Sequence, residues 1–114
     1  MDASAALSEL VGLSTQVVEA VITGTDGKVE AAHAAGDDRS RELAAAGAEL
    51  LSAAASIRPG TPVERVHVDL ERGSLVAVRD PERTIVATTV PEPTAGLVAF
   101  DLRTALGRLR GDAG

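Results

Sequence analysis

His67 and Asp69, in "VHVD", are two residues apart in a stretch of alternating apolar and polar residues. In an extended strand that spacing puts both side chains on one face. Together they could form a His–carboxylate pair or half of a metal site. A metal site usually takes three or four protein ligands, and no third ligand has an obvious place in the sequence. A catalytic pair would also need a nucleophile within reach, and none is in evidence. The pair therefore reads as a solvated strand face. His33, beside "AAGDD", lacks further ligands in the same way and reads as the end of a strand. "GTDGK" (24–28) has a glycine-lysine pair, but a phosphate-binding loop needs two glycines four residues apart, followed by Lys and then Ser or Thr. It reads as a turn, and the chain is not itself a P-loop GTPase. Arg79 and Arg83 flank Asp80-Pro81-Glu82. Either could reach a partner's phosphate as an arginine finger, or both are ordinary charges on a surface turn.

Composition narrows the function classes. The chain has 114 residues, 45% hydrophobic and 25% charged, with net charge −6. This suits one folded domain, expected at 1–110 with a disordered tail at 111–114. Net negative charge argues against nucleic-acid binding, which depends on Lys and Arg neutralising phosphates. Phe100 is the only aromatic residue, which argues against base stacking as well. Cysteine is absent, so disulfides and thiol chemistry are excluded. The start, "MDASAALSEL", has no basic region and no sustained apolar run, so no secretory leader is expected. No window approaches the roughly 20 apolar residues of a membrane span. No membrane insertion, cofactor or metal is expected, and the chain is expected in the cytoplasm.

The elements follow from periodicity. Ala3, Ala6, Leu7, Leu10, Val11 and Ser14 recur at helical spacing behind Asp2, a suitable cap. Val17–Thr23 and Val29–His33 flank an Asp-Gly turn and read as a β-hairpin. A long helix follows from Asp37 to Ile57, with acidic residues at its positive end and Arg58-Pro59-Gly60 beyond it. Val63–Glu71, Ser74–Arg79 and Thr84–Val90 are three strands joined by short turns, an antiparallel meander. The closing segment "PEPTAGLVAFDLRTAL" (91–106) puts Pro91 and Pro93 after the last strand and Thr94 at a helix cap. A stripe of Ala95, Val98, Ala99, Leu102, Ala105, Leu106 and Leu109 follows. Leu97 and Phe100 lie off that stripe and are expected to tuck against the first helix; the alternative is an exposed patch for a partner.

Val66, Val68 and Leu70 alternate with polar residues, as in a strand with one solvated face. The strands at 17–22, 75–78 and 85–90 are apolar on both faces and must be covered on both. The expected fold class is α/β (α+β), a three-layer α/β/α sandwich with element order αββαβββα. The first, fourth and fifth strands are expected at its centre and the second and third at its edges. The long helix is apolar over about 220°, where a surface helix needs little more than about 100°. Leu43, Ala46, Gly47, Leu50, Ala54 and Ile57 are expected to dock on the sheet. Ala44, Ala48, Leu51 and Ala55 form a second stripe, which a copy of the same helix could cover in an isologous dimer.

The order of elements, the hairpin "VVEAVITGTDGKVEAA", the helix "SRELAAAGAELLSAAASI" and the closing "PEPTAGLVAFDLRTAL", with Gly96-Leu97-Val98 at its helix start, together resemble the roadblock / dynein light chain type 7 family. The resemblance runs from about Leu7 to Arg110, and no single motif in it is diagnostic. It implies a profilin-like five-stranded antiparallel sheet in the order 2-1-5-4-3, with the long helix on one face and the terminal helices on the other. It also implies a homodimer through the long helix and third strand. Ala44, Gly47, Ala48, Leu51 and Ala55 would then meet their symmetry mates, and Val66 and Val68 would extend the sheet across the axis. Bacterial members act on small Ras-like GTPases without usually contributing a catalytic residue; eukaryotic members are adaptors. The implied function is a non-catalytic dimeric regulator or adaptor for a Ras-like GTPase. The alternative is a dimeric scaffold with no GTPase partner. Leu97, Phe100, Arg79 and Arg83 are the candidate partner surface. Abundant Ala and Arg, with Lys28 the only lysine, fit GC-rich coding and a bacterial source.

Overall fold

The computed structural model describes residues 1–111; the rest of the tail expected at 111–114 lies outside the described residues. α1 spans Ala3–Leu13, β1 Val17–Gly24, β2 Val29–His33, α2 Asp37–Ala55, β3 Arg65–Leu70, β4 Gly73–Arg79, β5 Arg83–Thr89 and α3 Ala95–Leu109. All pairings are antiparallel and the strand order is β2-β1-β5-β4-β3. Element order, sheet order, and centre and edge strands are as expected.

The local signals act through identifiable bonds. The Ala5 N–H donates to Asp2 Oδ1 (2.8 Å), so Asp2 caps α1. In the hairpin turn the Lys28 N–H donates to Asp26 Oδ1 (3.0 Å) and Gly27 takes the positive φ the turn requires. Thr94 departs from expectation. It sits at the cap of α3, but its side chain makes no capping bond. Its N–H donates instead to Gln16 Oε1 (2.6 Å), tying the start of α3 to the loop before β1.

Two cores lie on opposite faces of the sheet. On one, α1 and α3 cover Ala20, Ile22, Val76, Val78, Ile85 and Ala87. On the other, α2 covers Val21, Leu75, Ala77 and Val86. Alternate residues of β1, β4 and β5 thus enter alternate cores, which is why these strands are apolar on both faces.

α2 presents Ser40, Leu43, Gly47 and Leu51 to the sheet. This corrects the expected docking stripe. Leu51 is 2% exposed and belongs to the core, whereas Ile57 lies beyond the helix end and is 82% exposed. Gly47 decides the phase, because a methyl group there would overlap a Val86 methyl. The helix comes closest to β5 along the line that carries the glycine.

A polar clamp fixes the N-terminal half of α2. Arg39 Nε and Nη2 donate to the two Glu19 carboxylate oxygens (2.9 and 3.1 Å). The Thr88 hydroxyl donates to Glu19 Oε1 (2.9 Å). The Arg39 bonds, aided by Thr88 and opposed by burial, hold the Glu19 carboxyl below its usual range.

Two predictions follow from these contacts. Gly47→Ala lowers the melting temperature, since overpacking costs about 1–3 kcal/mol. In a Val86→Ala background the same substitution raises it, through helix propensity of about 1 kcal/mol; thermal unfolding of the four proteins measures both signs. Glu19→Gln lowers stability at pH 7 by about 1 kcal/mol, given the half-exposed Arg39. A folded-state pKa below the unfolded value of 4.5 stabilises above that pH and ceases to do so as pH falls through the folded pKa. The gap between wild type and variant in urea titrations therefore closes below pH 4.5.

Candidate functional site

The β3–β4 ribbon brings the expected pair together. His67 Nε2 lies 2.9 Å from Asp69 Oδ1, and the buried Ser74 hydroxyl donates to the same oxygen (2.7 Å). The Ser74 bond, then the charge of His67, lowers the Asp69 pKa. Serine, histidine and aspartate thus meet, but in the wrong order for nucleophilic chemistry. The aspartate stands between the hydroxyl and the imidazole, where a relay needs the imidazole between the other two. Among the described residues no group of three His, Cys, Asp or Glu is placed to hold a metal ion. His33 is half-buried at the end of β2 opposite Ala20.

The arginines at the β4–β5 turn are engaged. Arg83 pairs with Glu30 (3.2 Å) and Glu82 (3.4 Å), and Arg79 Nε donates to the Val63 carbonyl (2.9 Å). Asp80 shapes the turn by accepting from the Glu82 and Arg83 N–H groups (2.8 Å each). Both arginines border an open cleft of about 1080 Å³ between this turn, the β1–β2 hairpin and one flank of α2.

That flank carries Ala44, Ala48 and Ala55, three of the expected interface residues, and they line the cleft. Gly47 and Leu51, expected with them, point into the core. At 100° per residue, Ala46, Leu50 and Ala53 project from the opposite flank, and Ile57, past the helix end, is exposed. Ala46 and Leu50 pack on the same core as Val63 and Val66 near β3. Val66 and Val68 are half-buried, and Leu70, on their face, is 60% exposed. The sequence reading placed Ile57 in the core and so missed this surface. The signal was available, because Arg58-Pro59-Gly60 marks a helix end at which a side chain leaves the helical phase.

Leu97 and Phe100 do not tuck against α1; they are 50% and 65% exposed. Nor do they join the arginines in one surface. Asp80, between Arg79 and Arg83, is reached by Arg110 at the far end of α3 (3.5 Å). Ten residues of helix, about 15 Å, separate Arg110 from Phe100. The expected partner surface is two separate places. No helix among the described residues is long and apolar enough to cross a membrane.

No protein-family model matches the chain, and no curated protein matches it in sequence. Solved structures do. A Roadblock/LC7 domain from Streptomyces avermitilis superposes with a TM-score of 0.84 at 23% identity, covering 97% of each chain. Myxococcus xanthus MglB gives 0.76 at 14% identity, over 94% of this chain and 84% of that one. Acanthamoeba castellanii profilin II gives 0.66 at 21% identity, over 96% of each. At these identities the likeness concerns architecture. With the strand order and the two helical layers above, it establishes that this chain has the profilin-like roadblock/LC7 fold in an MglB-like form.

Proposed function

We propose that the chain is a non-catalytic, homodimeric regulator or adaptor that binds a small Ras-like GTPase in the cytoplasm, working as one roadblock-like domain. The observation that carries this reading is the surface shared by α2 and β3. An apolar helix flank carrying Ala46 and Leu50, with the exposed Ile57 just past the helix end, lies beside an edge strand whose Val66, Val68 and Leu70 are only partly covered. Apolar surface next to an open strand edge marks a place where another chain sits. The roadblock fold and the MglB likeness agree with it, since bacterial members of the resembling family act on such GTPases.

The dimer interface proposed here differs in part from the helix stripe read from sequence. Val66 and Val68 stay in it. Leu50, Ala53 and Ile57 join them, while Ala44, Ala48 and Ala55 remain on the cleft side. A second reading, a dimeric scaffold without a GTPase, draws support from the exposed Leu97 and Phe100 on the α1–α3 layer. This is a second apolar place on the opposite side of the sheet from α2.

Ile57→Glu is expected to reduce the native mass by light scattering from two chains to one without loss of helical signal, and Ala48→Glu to leave the dimer intact. The reverse result moves the interface to the cleft flank. Leu51→Glu unfolds the protein whichever flank is used, because its side chain lies in the core. The function is tested by affinity capture with tagged protein in the presence of GDP or a GTP analogue. Preferential recovery of a small GTPase in one nucleotide state supports the regulator. A partner recovered equally in both states supports the scaffold.

A further inference from the structure

The polar face of β3 has a use that a single chain cannot supply. This inference rests on the dimer reading above. The Arg79 N–H donates to the Glu64 carbonyl (2.9 Å), and Arg65 pairs with Val78. Hydrogen-bonded pairs alternate along an antiparallel ladder. Positions 64, 66, 68 and 70 therefore bond to β4, and 65, 67 and 69 direct their backbone groups to the open edge. A second copy of β3, added antiparallel about a two-fold axis, must bond through those same odd positions. Each residue must also meet one whose side chain lies on the same face of the sheet. Both conditions allow only registers that pair odd with odd and even with even.

Two such registers keep five residues paired. One sets His67 opposite its own mate and leaves Leu70, 60% exposed, facing the charged Glu64 of the second copy. The other places Val68 on the axis. There Val66 meets Leu70, Val68 meets Val68 and Leu70 meets Val66, so every apolar side chain on the α2 face finds an apolar partner. Burial of apolar area selects the second. In it His67 stands directly opposite Asp69 of the second copy, and Asp69 opposite the second His67. Residues so placed have Cβ atoms about 4.5–5.5 Å apart.

Two histidines and two aspartates thus gather on one face across the axis. His67 and Asp69 already touch within each chain (2.9 Å), and the Ser74 hydroxyl holds the aspartate in place. Four nitrogen and oxygen ligands converging from two strands suit a tetrahedral divalent cation of the zinc type, with Ser74 as the outer partner that orients a ligand. We infer that two copies of β3 pair about Val68 and that His67 and Asp69 of both copies bind one zinc-type divalent cation. Arg65, on the same face, lies two residues further from the axis than His67, in line with the opposite charge of Glu71 of the second copy.

The experiment uses untagged full-length protein. Native mass is measured in EDTA, then zinc chloride is titrated by calorimetry and cobalt(II) by visible absorption. The expected results are a dimer without metal, saturable binding of one zinc per two chains, and the strong visible bands of tetrahedral cobalt. His67→Ala abolishes the binding, and His33→Ala leaves it unchanged. Val68→Cys, the only cysteine the chain would contain, tests the register separately: it should form a disulfide to its own mate on mild oxidation. A dimer that binds no zinc, or whose binding survives His67→Ala, overturns the metal site. A dimer that fails to cross-link through Val68→Cys overturns the register, and the site with it. A monomer in EDTA that stays monomeric with zinc overturns the dimer reading itself.

Discussion

The close approach of α2 to β5 at Gly47 and Val86 governs the arrangement on that side of the sheet. A helix rich in alanine, with only three leucines, could roll to several phases with similar apolar burial. The absent side chain at 47 permits a nearer approach than any other phase, and dense packing rewards it. Once Gly47 lies on Val86, the helix geometry sends Leu43 and Leu51 into the core. It also turns Ala44 and Ala48 to one flank and Ala46 and Leu50 to the other. The Glu19–Arg39–Thr88 clamp holds the same phase from the polar side.

The architecture was legible because it is written in periods. Alternation along β3, two-sided apolarity in β4 and β5, and the Asp-Gly turn each have a physical cause that acts locally. The helix phase was not legible, since an apolar arc wider than its seat does not say which part is seated. That choice is made by a residue on another strand, Val86. Leu97 and Phe100 fail for a related reason. Their distance from the stripe of α3 was visible, but whether α1 reaches them depends on how the two helices lie. The Ser74–Asp69 bond joins residues across the β3–β4 turn, and its order relative to His67 could not be read from spacing.

What the domain offers to other molecules follows from where its layers stop. α1 and α3 together span one face, but α2 alone must cover the other, and one helix is narrower than five strands. The shortfall falls at β3, whose apolar face is half-covered and whose backbone edge is open. Natural edge strands are commonly blunted by charge or proline. Here the charges, Arg65 and Asp69, sit on the face away from α2, so the α2 side of the edge stays apolar. One architecture serves unrelated partners, and function lies in the surfaces set upon it.

Phe100 is the only Phe, Tyr or Trp in the chain, and it stands in solvent. Both cores are therefore wholly aliphatic apart from a few hydroxyls. Apart from the imidazoles of His33 and His67 at the margins of the sheet, no ring current acts on either core, so methyl resonances of its many valines and leucines will crowd into a narrow band of the proton spectrum. An aromatic side chain brought in by another molecule would break that uniformity at once. The methyl groups it displaces would name the surface it covers.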